Sequence, residues 1–170
     1  MQGSRQRVAT GSIQITAERY DRYASKDNGK SRGEELMAIK ISPADQAFSH
    51  CIHEAYNHTC DRCGRVGRVE CSHVHSRKHR TIRWCIENAI AKCHTCHRWW
   101  HENPTEAGLW FIENYGQGRE DLLLEKKRQK VKVSKLEEKE IAKHYREQLK
   151  ILKEKRAQGE EGFIAFESWQ

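Results

Sequence analysis

The chain has 170 residues, 36% hydrophobic and 32% charged, which bounds it to one domain, or one small domain with polar extensions and a modest core. A formal charge of +7 and a pI of about 9.1 favour a polyanionic partner. No apolar run approaches the roughly 18 residues that span a bilayer, and "MQGSRQRVATGS" lacks the apolar segment of a secretory signal. A membrane partner is therefore not expected, and an intracellular, cytoplasmic protein is.

In chain order, residues 1–41 are mixed, and "SKDNGKSRGEE" is polar and glycine-containing, as in a basic arm and linker. "SPADQAFSHCIHEAYNH" then offers Ser42 as an N-cap and Pro43 at the first helical position. Ala44, Phe48, Cys51, Ile52 and Tyr56 fall on one face of that helix. "CDRCG" is a cysteine turn whose Gly64 relieves a tight backbone. "RVGRVE" alternates weakly and predicts a short strand, and a second is expected near Ile82 to Cys85 after the polar loop "SRKHR".

An ordered loop is expected around Asn88, with helix resuming after Cys96. Asn103 and Pro104 start a further helix that runs to Tyr115 and closes at Gly116. From Arg119 to Gln158 nearly every residue is polar or helix-favouring, and Ser134 with Glu137 forms a capping-box signal, so one helix or two fit equally. Ile141, Tyr145, Leu149 and Leu152 form an apolar stripe there, suited to a partner helix in a homodimer or to docking on the chain's own core. This C-terminal part balances 14 Lys/Arg against 13 Asp/Glu from Glu106 onward, so it carries little of the basic excess. The tail "GFIAFESW" reads as a short strand or a docking segment.

Seven cysteines are an odd number for disulfides. Four form two C-x-x-C pairs, Cys60/Cys63 and Cys93/Cys96, with 29 residues between them. In a reducing compartment this spacing reads as one tetrathiolate zinc site, because two such turns supply four soft ligands for a tetrahedral ion. Bound zinc would add folding free energy that a small core lacks. Cys51, Cys71 and Cys85 are expected as small core residues, with Cys71 an alternate ligand.

The histidines are then free for other work. His97 and His101 are four apart, which places both imidazoles on one helical face, the spacing by which a helix offers two nitrogens to one divalent cation. His73 lies 15 residues before Asn88, which precedes His97 by nine. This His-Asn-His-His spacing resembles the HNH endonucleases, the ββα-metal superfamily, and in particular colicin-type nuclease domains. A narrower resemblance spans about residues 44–116. There Phe48, Ser49, Ile52, Ser76, Arg77, Thr81, Arg83, Trp84 and Asn88, with both cysteine pairs, look like phage recombination nucleases of the NinG/Rap type.

The resemblance implies an α+β fold: a zinc-stabilised ββα-metal core at residues 42–116, bearing an N-terminal helix. A helical C-terminal extension at 117–170 would dimerise or contact DNA. It implies hydrolysis of DNA phosphodiester bonds to a 5′-phosphate and a 3′-hydroxyl, with branched recombination intermediates such as four-way junctions as substrates. His73 is then the general base, since a near-neutral imidazole can take a proton from water. Asn88 orients His73 or its loop, and His97 and His101 hold the catalytic cation. Mg²⁺ or Mn²⁺ suits phosphate chemistry, while Zn²⁺ or Ni²⁺ also suits two histidines. Many members carry Asp or His just before the base, as a metal ligand, and here that residue is Ser72. Glu70, His75, water or a DNA phosphate could supply the third ligand instead, and His75 competes as the base.

Arg77, Lys78, Arg80 and Arg83, with His79, form an acid-free cluster between His73 and Asn88, suited to phosphate contacts. Trp84, Trp99 and Trp100 could stack on bases, with core packing favoured for Trp84 and Trp99. Two other readings remain: an HNH endonuclease acting on linear duplex DNA in packaging, restriction or homing, and a zinc-ribbon module that binds nucleic acid without cutting it.

Overall fold

The computed structural model describes residues 41–169; the expected N-terminal arm, residues 1–40, lies outside them. Within that span the fold is mixed, with five α-helices and one two-stranded antiparallel sheet.

Helix α1, Pro43–Ala55, starts as its sequence dictates. The Ser42 hydroxyl accepts from the Asp45 backbone N–H and the Asp45 carboxylate accepts from the Ser42 N–H, each at 3.2 Å. This reciprocal cap satisfies two backbone donors that a helix start leaves unpaired. Asn57 and His58, both with positive φ, end the helix and turn the chain into the first cysteine pair. Gly64, at φ +70°, lets the Cys60–Cys63 turn close, with its N–H donating to the Cys60 carbonyl at 2.8 Å.

The strands are displaced from their expected positions. β1 is Glu70–His73, so "RVGRVE" contributes only its last residue to it, and upstream Val66 makes a single bridge to Thr59. The stretch Ile82–Cys85 is a turn, and the second strand β2 is Ala89–Lys92. The register pairs Glu70 with Lys92, Cys71 with Ala91, Ser72 with Ile90 and His73 with Ala89. β2 hides from a search for alternation because all four of its residues are buried. Two cores make this possible: Ala89 and Ala91 face one with α1, while Ile90 joins the other with Trp100 and Phe111.

Helix α2, His94–Glu102, begins two residues before Cys96, so Cys93 is its N-cap residue and the second cysteine pair straddles the helix start. Helix α3, Pro104–Tyr115, ends at Gly116 (φ +83°) as the sequence predicts. The polar stretch that follows divides in two. Helix α4 is Gln117–Arg128 and helix α5 is Lys135–Ala157, the latter capped by Ser134 and Glu137 in the expected reciprocal arrangement.

The apolar stripe of α5 packs on α1. Ile141, Tyr145 and Leu152 are buried in the same core as Phe48 and Ile52, and the Cys51 thiol donates to the Tyr145 carbonyl at 3.0 Å. That stripe is therefore used inside the chain and does not present itself to a second copy. The tail is a docking segment without strand structure. Ile164 donates its N–H to Ala55 O at 3.0 Å, Phe163 packs on Tyr56, Phe166 on Phe48 and Tyr145, and Trp169 donates its N–H to the Tyr145 hydroxyl at 2.9 Å. No helix among the described residues is long and apolar enough to cross a membrane.

Because α5 completes the core, Leu152→Ala should cost about 2–5 kcal/mol of folding free energy, read as a shift in the urea midpoint. A change under about 0.5 kcal/mol, as on an exposed surface, would show that α5 does not belong to the core.

Candidate functional site

Two groups of ligand-type side chains meet at α2. The first is the cysteine set. The turn at Cys60–Cys63 and the start of α2 bring the sulfurs of Cys60, Cys63, Cys93 and Cys96 within 4.8 Å of one another, none of them in a disulfide. Around zinc at a Zn–S distance of about 2.3 Å, the edges of a regular tetrahedron are about 3.8 Å long, and Cys63 Sγ lies 3.8 Å from Cys93 Sγ. The set can hold a structural metal such as zinc. The remaining cysteines stand apart as expected. Burial pushes the Cys51 and Cys71 thiols up to about 12 and Cys85 to about 11, so none of the three is a ready thiolate.

The thiol site has cations beside it. Arg62 lies 3.9 Å from Cys96 Sγ through Nη1 and stacks on Trp99 at 3.6 Å. Lys92 is fully buried, its ammonium over Trp100 at 4.0 Å and Trp110 at 4.9 Å, with no hydrogen-bond partner for Nζ. Burial lowers it to about 8, against the upward pull of Asp61, Cys60 and Cys96. Four thiolates around a dication leave a net charge of −2, which positive side chains at this position would offset. Trp99 and Trp100 are thus occupied by cations; Trp84 is buried, with its indole N–H donating to Asp45 at 3.0 Å.

The second group is histidine. One turn apart on α2, His97 Nε2 and His101 Nε2 face each other at 3.1 Å. The far side of His97 is fixed by β1: its Nδ1 lies 2.6 Å from a Glu70 oxygen, and the other Glu70 oxygen is 3.2 Å from His94 Nδ1. Burial alone would raise the Glu70 carboxyl, but the hydrogen bonds from His97 and His94 outweigh it and hold it below its ordinary value. With Nδ1–H donating to Glu70, the neutral tautomer of His97 carries its lone pair on Nε2. Burial, then the neighbouring His97 and Lys92, lowers His101 and favours its neutral form. Two nitrogens bound to one ion at about 2.0–2.1 Å lie about 2.9–3.4 Å apart, so the pair has the separation of two ligands. Glu70 sits behind His97 as its orienting partner, not beside it as a third donor.

His73 ends β1 and lines a cleft of about 700 Å³ shared with Glu70, His97 and His101. Its Nε2 lies 3.0 Å from the Arg83 carbonyl. Donating there leaves Nδ1 as the nitrogen with a lone pair. Burial, chiefly, holds His73 below the usual imidazole range, so it is neutral near pH 7. His75 differs: its Nε2 is 3.1 Å from both oxygens of Glu120 on α4, which occupies that nitrogen as a hydrogen-bond partner. Ser72 is 1% exposed, and its hydroxyl has no hydrogen-bond partner among the described residues, an omission worth about 1–3 kcal/mol in a protein interior.

Asn88 is fully buried and acts on the loop, not on the His73 ring. Its amide accepts from His75 N–H at 2.7 Å and donates to the carbonyls of His75 (3.0 Å) and Ile82 (2.9 Å), tying both ends of the basic loop together. In that loop Lys78 and Arg80 are exposed, and Arg77 lines the cleft. Arg83 is not available to a phosphate in the same way. Its guanidinium pairs with Asp45, through Nε at 2.8 Å and through a second bond from Nη2, which secures the loop to the capped start of α1. The sequence hid this partnership because Asp45 looks like helix-cap chemistry alone.

No protein-family model, no curated protein and no solved structure matches the chain.

Two outcomes follow from this geometry. The purified chain should carry one zinc by elemental analysis, lost in Cys93→Ser together with cooperative unfolding. Glu70→Gln should weaken Mn²⁺ binding about 10- to 100-fold in titration calorimetry while the zinc content stays at one; unchanged Mn²⁺ affinity would deny Glu70 its orienting role.

Proposed function

We propose that the chain is a zinc-stabilised, metal-dependent DNA endonuclease of the HNH type. The observation that carries this reading is the facing pair of ring nitrogens on His97 and His101, oriented by Glu70, in the same cleft as a neutral His73. The order β1, β2, α2, with His73 at the end of the first strand and the histidine pair on the helix, agrees with the arrangement the family resemblance calls for. The basic loop beside it supplies phosphate contacts at Arg77, Lys78 and Arg80.

A divalent cation on His97 and His101 would stabilise charge on the phosphate and on the leaving 3′-oxygen. His73 takes a proton from the attacking water at Nδ1, with the Arg83 carbonyl holding the opposite nitrogen and favouring the cationic ring that results. Glu70 keeps the His97 ring in the tautomer a ligand needs. Asn88 fixes the loop that carries Arg83 O and the basic side chains. The unpartnered Ser72 hydroxyl stands where related enzymes carry a stronger ligand, and a water or a substrate phosphate would complete the coordination. The same serine favours the second reading, a zinc module that binds nucleic acid without cutting it. By resemblance to the NinG/Rap nucleases, the substrates are branched recombination intermediates.

With Mg²⁺ or Mn²⁺ the protein should cut DNA, and a four-way junction or flap several times faster than linear duplex at matched salt. His73→Ala should lower the rate about 10²- to 10⁴-fold with zinc content and DNA affinity unchanged; undiminished cutting would reject His73 as base. Because His73 must be neutral and burial keeps its proton affinity low, the rate should be flat from pH 8 to 7. It should fall only below the ordinary imidazole range near 6.5. A decline already complete above pH 7 would contradict that assignment.

A further inference from the structure

His73 and His101 form a wall between two hollows. One is the histidine cleft already described. The other, of about 380 Å³, lies behind that wall and is lined by α3 and by Glu120 of α4. Its chemistry differs. Val74, Trp100, Phe111 and Ile112 make it mainly apolar, and the His75–Glu120 pair supplies the polar groups. No arginine or lysine lines it, so it is not a second phosphate site.

Gly108 lines the same hollow and leaves room in it. It sits inside α3, where glycine weakens a helix relative to alanine. Its backbone does not require glycine, for it has ordinary helical φ, and a Cβ placed there would meet nothing within 4 Å. No neighbouring part of the chain needs the missing side chain. The space it leaves belongs to the hollow that Gly108 lines.

We infer that this hollow receives one nucleobase turned out of the stack beside the phosphate held at the histidine cleft. The inference rests on the nuclease reading and narrows it to DNA with an unpaired nucleotide at the cut site. A base attached to that phosphate has flat apolar faces for the walls. Its exocyclic amino group is a donor for the Glu120 carboxylate, which can only accept, so cytosine, adenine and guanine suit it best. Turning out a base that is already unpaired costs least, which ties the pocket to branches, bulges and flaps.

The test measures binding without added divalent cation, on duplexes carrying one bulged cytidine or an abasic nucleotide at the same position. Wild-type protein should bind the cytidine form about tenfold more tightly, since stacking and pocket contacts are lost with the base. Gly108→Leu, which fills the hollow, should bind both forms with the affinity wild type shows for the abasic one, at an undiminished melting temperature. Gly108→Ala should melt higher than wild type, confirming that the helix does not need the glycine. Equal wild-type affinity for the two duplexes overturns the pocket whatever the variants do, as does a folded Gly108→Leu protein that keeps the preference. Failure to bind or cut any of the DNAs even when Mn²⁺ is added would overturn the nuclease reading and the pocket with it.

Discussion

The convergence of four sulfurs from two turns is the constraint on which the rest of this fold hangs. Cys60 and Cys63 follow α1, while Cys93 and Cys96 open α2, so closing the cluster joins the end of one segment to the start of the other. The Asp61 N–H donates to Ala91 O at 2.9 Å, which fastens the first turn to β2 as well. Through this junction the sheet register and the rotation of α2 are set together. His97 follows Cys96 directly, and fixing the cysteine aims the histidine. Without the ion, four thiols at this separation would have to share protons. Cys60 shows that tendency, lowered to about 4 chiefly by a hydrogen bond from Cys96. With an ion there, the buried Lys92 and the stacked Arg62 become counter-charges rather than liabilities.

The histidines show how environment, not residue type, divides the work. On α2 a carboxylate holds the far side of one ring, burial lowers the other, and the facing nitrogens of the two lie 3.1 Å apart. At the end of β1 a backbone carbonyl takes one nitrogen and burial keeps the other free of a proton. Two residues later, Glu120 occupies His75. Four imidazoles near one another thus receive different partners, and the proposed division into two ligands, one base and one anchor follows from those partners. His53 on α1 lines the same cleft and is lowered to about 4, first by burial and then by His50 and His58. A group lowered in this way favours the folded state above its unfolded value, near 6.5. That contribution is lost as the pH falls towards 4.

Much of this was legible in the sequence where a local rule governs the residue. Ser42 and Ser134 announce helix starts because capping is decided within four residues, and the two C-x-x-C pairs announce a four-sulfur cluster that could hold a metal, because their spacing suits a tetrahedral set of ligands. The i, i+4 spacing of His97 and His101 carried the nitrogen pair. What escaped was decided at long range. β2 is hidden since "AIAK" is buried on both faces by two separate cores. The alternation of Ile82 and Trp84 resembles a strand but belongs to a turn held by Asn88. The Asp45–Arg83 ion pair and the Glu70–His97 contact join residues 38 and 27 positions apart, beyond the reach of any local pattern. The stripe on α5 was visible as apolar, but only the packed structure says that its partner is α1.

In the proposed reading α2 serves two different ions, one through its first-turn thiols and one through the next turn of imidazoles. Anomalous diffraction from crystals grown with Mn²⁺, recorded at the zinc and manganese edges, tests it most directly. Zinc should be centred among Cys60, Cys63, Cys93 and Cys96, and manganese between Nε2 of His97 and His101, with His73 in the same cleft. A single ion drawing ligands from both sets, or manganese bound away from the two imidazoles, would contradict it.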